Sequence, residues 1–363
     1  NTYFCNSWYG LGRGFMHYED YSERNSVSLF EVLRNAEIGQ RLLRASHTAF
    51  HTREGVIGGR KDAGRVNREF LSWLGDRHEP SRPFFAFLNY YDAHDPYIVF
   101  DPEGSSAGFE PPRNEDLPLL QQWHTMRGQK ITRGQRQTAS DAYDSCLTYL
   151  DFRLGQLFAE LERTGTLDNT TVIITSDHGE QFGEHGIDLH GNSLYRPLVG
   201  VPLMIVPAGK ARAAIGGMRV HPPVTLRDVP ATIADMVGMA EKSPFPGRSL
   251  ARYWDPKTAS RLGDRIAPES QGLDPSEDLI LSETWLKLEK NPKPPKNVLT
   301  PVQWGPMRSL VGQGHVYIRL ANGQEQLFDL ENDPSESHDL SGRPEMAELL
   351  ARFRDRLARV GWF

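Results

Sequence analysis

The stretch TVIITSDHGEQFGEHGIDLHGNSLYRPLVGVP, residues 171–202, decides how the rest of the chain is read. Four consecutive branched residues, Val172, Ile173, Ile174 and Thr175, predict a strand buried on both faces, as in a sheet covered by helices. Polar chemistry begins where that strand ends: Asp177 and His178 enter a glycine-punctuated loop that also holds His185 and His190. Open α/β sheets bind ligands at the carboxyl ends of their strands. An adjacent Asp-His pair in a tight turn can aim a carboxylate oxygen and an imidazole nitrogen at one cation, so Asp177 and His178 are the first candidate metal ligands. The alternative for an isolated SDHG is a helix cap beside a histidine bonded to nearby backbone.

Working outward, the apolar run at 84–89 predicts a second buried strand, and His94 in NYYDAHDPY emerges just beyond it, flanked by Asp92 and Asp95. A histidine there can hydrogen-bond an anionic ester oxygen or a leaving group. His190 precedes Gly191, which permits close approach of backbone or ligand. His185 either supports the site residues from behind or orders the loop, and Glu180 and Glu184 are candidate partners of the histidines, against the default of carboxylates on an exposed turn.

Helical spacing of Ala63, Val66, Phe70 and Leu74, and of Tyr143, Leu147, Leu150, Leu154, Leu157 and Leu161, predicts two helices, the second ending near Thr164 and Gly165. Between them, 101–137 is polar and proline-bearing and reads as a surface excursion with some helix. Residues 201–206 predict a further strand with Pro202 at its start, and Asp228 with Pro230 a helix start. The polar stretch 256–275 reads as an irregular boundary. Beyond it, 279–284, 316–320 and 326–330 predict strands, with Asn322-Gly323 a hairpin turn. Met346, Leu349, Leu350, Phe353 and Leu357 predict a closing helix. Alternating helix and strand gives an α/β domain over 1–275 and a small α+β domain over 276–363.

Composition narrows the function classes. The 363 residues carry 41 Lys plus Arg against 47 Asp plus Glu, a net charge of −6, which predicts no nucleic-acid surface and no polybasic membrane patch. No apolar run approaches the ~20 residues of a membrane span. Cys5 and Cys146 are too few for a disulfide framework or a zinc knuckle. The opening NTYFCNSWYGLGRGF has no signal-peptide pattern, and no compartment is read from it.

Taken in order, FFAFLNYYDAHDPY (84–97), YDSCLTYLDFRLGQL (143–157), TVIITSDHGEQFGEHG (171–186), LHGNSLY (189–195) and VPLMIVPAG (201–209) closely resemble the sulfatase family of the alkaline-phosphatase superfamily. VTLRDVPATIADMVG, FPGRSL and LFDLENDPSESHDL extend the resemblance over nearly the whole chain. It implies a central, mostly parallel sheet between helices, followed by a smaller domain with an antiparallel sheet and a helix. It implies a metal-dependent sulfuric ester hydrolase acting on a small-molecule or glycan sulfate ester. Asp177 and His178 would be metal ligands, with Ca2+ first and Mn2+ or Zn2+ as alternatives, and His94 and His190 would act as catalytic and sulfate-binding residues.

The family also carries a Cys or Ser in a C/S-x-P-x-R context, converted to formylglycine, after a strand ending in paired acidic ligands. Cys5 is followed by Asn-Ser-Trp and Cys146 by Leu-Thr-Tyr, so the nucleophile and the remaining ligands are expected within a stretch on the order of a hundred residues or more ahead of Asn1, and the chain is expected to be inactive alone or to work with an N-terminal part supplied elsewhere. Competing readings are a phosphoester or phosphonate hydrolase or phosphoglycerol transferase of the same superfamily, and a non-catalytic sulfatase-like binding protein.

Overall fold

The structure, a computed structural model, describes residues 10–19, 61–77, 79, 81–99, 110–126, 129–263, 279–284 and 300–360. The chain divides into two compact units, residues 1–165 and 166–363. Cys5, residues 101–109 of the excursion and the expected domain division at 275/276 lie outside the described residues.

In the first unit, α1 (Ala63–Gly75) starts at Asp62, whose Oδ1 accepts the Arg65 N–H at 2.7 Å. A six-residue helix, α2 (Leu117–Gln122), follows and runs into a 3-10 turn. Leu120 and Trp123 there are fully buried and anchor this part of the excursion, while the residues around them stay exposed or half-buried. The long helix α3 (Arg133–Arg163) begins ten residues before the apolar stripe that predicts it, because Thr132 and Gln135 form a reciprocal capping box. It closes at Thr164, followed by Gly165 at φ +70°.

The buried line of α3 also differs from the leucine stripe. It runs Ala139, Ala142, Cys146, Tyr149, Arg153, Leu157 and Leu161, while Leu147 is exposed. Polar groups tie this line to α1: the Gly64 N–H points to the Tyr149 hydroxyl at 3.4 Å, and Asn67 Nδ2 donates to the Arg153 carbonyl at 2.7 Å. Residues 84–89 form no strand among the described residues. Phe85 and Phe87 are exposed, in alternation with less exposed neighbours, as in an extended segment covered on one face only.

In the second unit, β1 (Val172–Thr175) pairs antiparallel with β2 (Leu203–Val206), from Val172 opposite Val206 to Thr175 opposite Leu203. The strand expected to be buried on both faces is half-buried, since β2 is its one neighbour among the described strands. All four ladders of the described residues, in two sheets, are antiparallel, so the expected mostly parallel central sheet is not seen in them. The physical reason at β1 and β2 is the connection: the chain leaves β1, makes the histidine loop and a short helix α4 (Arg196–Val199), and turns straight back without a crossover helix.

Three helices follow: α5 (Lys210–Ile215), α6 (Asp228–Met236) and α7 (Pro256–Leu262). Buried Asp228 accepts the Arg248 N–H at 2.9 Å, docking the FPGRSL segment on α6. The helix α7 falls where irregular chain is expected. Only Thr258 and Ala259 are buried in it, so it has no apolar period to read, yet Asp255 caps it and Gly263 ends it at φ +73°.

The last sheet has the order β3 (Ile280–Thr284), β4 (Met307–Gly312), β5 (His315–Arg319), β6 (Glu325–Asp329), all antiparallel. Sequence reading missed β4, whose interior carries Arg308 and Ser309, both buried. Arg308 is matched there by Glu283 of β3 at 2.6 Å. One face, with Leu310, Tyr317 and Leu327, packs against Leu350, Phe353 and Leu357 of α8 (Ala347–Val360). The other, with Met307, Val316, Ile318 and Phe328, packs against Ile187, Leu194 and Tyr195. The histidine loop is thus mounted on the C-terminal sheet. No helix among the described residues is long and apolar enough to cross a membrane.

Candidate active site

The site grows from the end of β1. Thr175 Oγ1 donates to the Pro202 carbonyl at 2.9 Å and Ser176 Oγ donates to the His178 carbonyl, which together bend the chain out of the strand. Asp177 projects into solvent, its Oδ1 accepting the His178 N–H at 3.0 Å and its Oδ2 lying 3.8 Å from His178 Nε2. His178 Nδ1 lies 2.8 Å from the Gly179 carbonyl. A carbonyl only accepts, so Nδ1 carries the proton, which in the neutral ring leaves the lone pair on Nε2, the tautomer that metal ligation uses.

Gly179 is required by close approach. A Cβ there would lie 2.0 Å from the Pro197 carbonyl oxygen, and the Gly179 N–H donates to the Leu198 carbonyl at 2.8 Å. The backbone of α4 therefore rests directly on the residue after His178.

From Gln181 the chain makes a small hairpin. Phe182 bridges Asp188, the Gly183 N–H donates to Ile187 and the Leu189 N–H to Gln181. The fully buried Gln181 side chain accepts from Ser193 Oγ at 2.9 Å. This hairpin returns His190 to the base of the loop, where its ring stacks on His178 with centroids 4.5 Å apart and planes 24° apart. His190 Nδ1 lies 2.9 Å from Glu180 Oε2, and the Glu180 side chain is 6% exposed. Glu180 is therefore a buried partner of His190 and not a carboxylate on an exposed turn. The signal for it was the adjacency of an acidic residue to the Asp-His pair, with no spacing rule to single it out.

His94 belongs to the first unit. Its Nδ1 lies 2.7 Å from Asp95 Oδ1, and its ring stacks on Tyr91 at 4.2 Å. The two flanking aspartates separate in role: Asp95 holds His94, whereas Asp92 accepts the Ala63 N–H at 2.9 Å and ties the loop to α1. His185 lies flat on Tyr195, 3.8 Å between centroids and 9° between planes, and faces Glu336 at 3.8 Å.

Residues 15–239 match the family model described as Sulfatase, more than half of the sequence. The chain belongs to the sulfatase family. It is 27% identical over 299 residues to a choline-sulfatase of Rhizobium meliloti, covering 77% of this chain and 51% of that protein. It is also 27% identical over 335 residues to the multifunctional alkaline phosphatase superfamily protein PehA of Trinickia caryophylli, covering 83% of this chain and 61% of the relative. Among solved structures, the phosphonate monoester hydrolase of Agrobacterium radiobacter shares its fold, with a TM-score of 0.61 at 18% identity over 83% of this chain and 61% of that one. The fold is mixed α/β with an antiparallel sheet. This sulfatase-family chain spans about half to three fifths of the length of these relatives.

Proposed function

We propose that the chain supplies part of the active site of a metal-dependent sulfuric ester hydrolase, with Asp177 and His178 as two of the metal ligands and His94 and His190 as contacts to the sulfate group or the leaving oxygen. The observation that carries this reading is the paired donor set at the end of β1: a solvent-facing carboxylate and an imidazole Nε2 with its lone pair, 3.8 Å apart, in a sulfatase-family sequence. One carboxylate oxygen and one imidazole nitrogen suit a divalent cation, which the family generally uses. We rank Ca2+ first, with Mn2+ or Zn2+ as alternatives favoured by the nitrogen donor. When bound, such an ion supplies positive charge that neutralises an ester anion.

The chain's own residues then do the following. His190, held through Nδ1 by Glu180, is fixed in plane so that its opposite edge presents Nε2 to an anionic oxygen. Asp95 holds His94 in the same manner. Histidine at both positions allows donation of a hydrogen bond to the transferred group or of a proton to the leaving oxygen. The substrate class is a small-molecule or glycan sulfate ester.

Titration of the protein with Ca2+ and Mn2+ tests the ligand assignment: Asp177→Asn and His178→Ala should each weaken binding by at least 10-fold. Unchanged affinity in both variants refutes it. A phosphonate or phosphoester hydrolase is the second reading, favoured by the fold shared with the Agrobacterium radiobacter enzyme. Hydrolysis of an aryl sulfate compared with an aryl phosphonate monoester by the full-length protein separates the two.

A further inference from the structure

A buried carboxylate fastens the histidine loop to the far end of the molecule's second unit. Glu336, in the SESHDL loop after β6, has a side chain 2% exposed. Its Oε2 accepts the N–H of Arg196, the first residue of α4, at 2.8 Å, and lies 3.8 Å from His185 Nε2. Its Oε1 is buried with no hydrogen-bond partner among the described residues. Tyr195, on which His185 stacks, donates its hydroxyl to Gln326 of β6 at 2.9 Å.

The two facing residues are also held in a backbone conformation that side chains disfavour: φ is +55° at His185 and +53° at Glu336. Such strain persists where the surrounding contacts over-determine it. The charged groups around the carboxyl are Arg196, whose N–H and charge favour ionisation, and Asp333, which opposes it. Burial dominates and pushes Glu336 up to about 7. His185 is pushed down by burial, against Glu184 and Asp333, and Tyr195 is pushed up by burial.

The route from Glu336 to the site is short. Glu336 caps α4 at Arg196, the Leu198 carbonyl of that helix receives the Gly179 N–H, and Gly179 follows His178. We propose that Glu336 is a positioning residue for the histidine site: through Arg196 and α4 it sets where His178 stands, and it packs beside His185 of the hairpin that returns His190. This rests on the reading of His178 and His190 as site residues. The SESHDL loop is thereby a remote part of the site and not only a closing turn of the C-terminal sheet.

The test uses the whole chain carrying 15N-histidine, as wild type, Glu336→Gln and Glu336→Ala. It reads the ring signals of His178, His185 and His190 and the Mn2+ affinity from pH 6 to 8. Glu336→Ala should shift the His178 and His190 signals and weaken Mn2+ binding about 10-fold, the lower end of the loss expected for outer-sphere support. Glu336→Gln, which keeps the acceptor for Arg196, should restore affinity to within about 3-fold while changing its pH profile. A folded Glu336→Ala protein with wild-type ring signals and wild-type Mn2+ affinity overturns the proposal. If Glu336→Ala does not fold, Glu336→Gln decides it, and a pH profile identical to wild type overturns it. If wild type itself binds no Mn2+, the metal-ligand reading fails, and the ring signals alone decide the role of Glu336.

Discussion

Replacing Gly179 by alanine probes the contact on which the site is built. The added Cβ would stand 2.0 Å from the Pro197 carbonyl oxygen and 3.1 Å from its carbon, both backbone atoms that no rotamer change can move aside. Relief to an ordinary contact takes a shift of roughly 1 Å or more between α4 and the end of β1, since packed carbon and oxygen atoms stand more than 3 Å apart. Overpacking of this kind costs about 1–3 kcal/mol. Loss of the Gly179 to Leu198 hydrogen bond adds about 1 kcal/mol. The expected destabilisation is about 2–4 kcal/mol, read by urea denaturation. His178 moves with its neighbour, and on the proposed reading a misplacement of about 1 Å should cost about 100-fold in sulfate-ester turnover. Gly155→Ala is the control: this glycine lies exposed within α3 with nothing near its Cβ position, so alanine should stabilise by about 0.5–1 kcal/mol. A Gly179→Ala protein with the wild-type denaturation midpoint and wild-type Mn2+ affinity would refute the reasoning.

Other expectations follow from the same contacts. Glu180→Gln removes the charge held 2.9 Å from His190 Nδ1 and should lower kcat/KM of the full-length protein by about 10–100-fold with its circular dichroism unchanged; equal activity would exclude Glu180 as the partner that orients His190. Phe353 is 1% exposed and stacks on Tyr317 with centroids 5.4 Å apart, so Phe353→Ala should cost about 3–5 kcal/mol by denaturation. Glu336 links stability to pH: its carboxyl, raised from 4.5 to about 7, holds in the folded chain a proton that the unfolded chain releases. Its contribution is therefore full below about pH 4.5 and is lost as pH rises through about 7, by about 3 kcal/mol at about 1.4 kcal/mol per pH unit. Wild type minus Glu336→Gln should show that decline between pH 4.5 and 8, and a flat difference would contradict it.

Much of the scaffold was legible because its signals are local. The helix stop at Gly165, the strand after Pro202, the Asn322-Gly323 hairpin and the amphipathic face of α8 each depend on residues a few positions apart. The position of Asp177 and His178 just past the end of β1 was legible for the same reason. What escaped is what depends on partners distant in sequence. The strand β4 hides behind Arg308 and Ser309, which are buried only because β3 and β5 flank them. The buried line of α3 keeps Leu157 and Leu161 of the leucine stripe but otherwise runs through Ala139, Ala142, Cys146, Tyr149 and Arg153, the last two bonded to α1.

The sequence by itself determined that a branched strand hands an acidic residue and histidines to a glycine-rich loop, and hence which donor and acceptor atoms stand there, because residue type and spacing fix them. Only the tertiary structure decided that β1 and β2 run antiparallel, that Glu180 is the partner of His190, and that the loop is seated on the C-terminal sheet through Tyr195, His185 and Glu336. Those choices are set by packing and by the need to pair buried polar groups, and the last of them brings together residues more than a hundred positions apart.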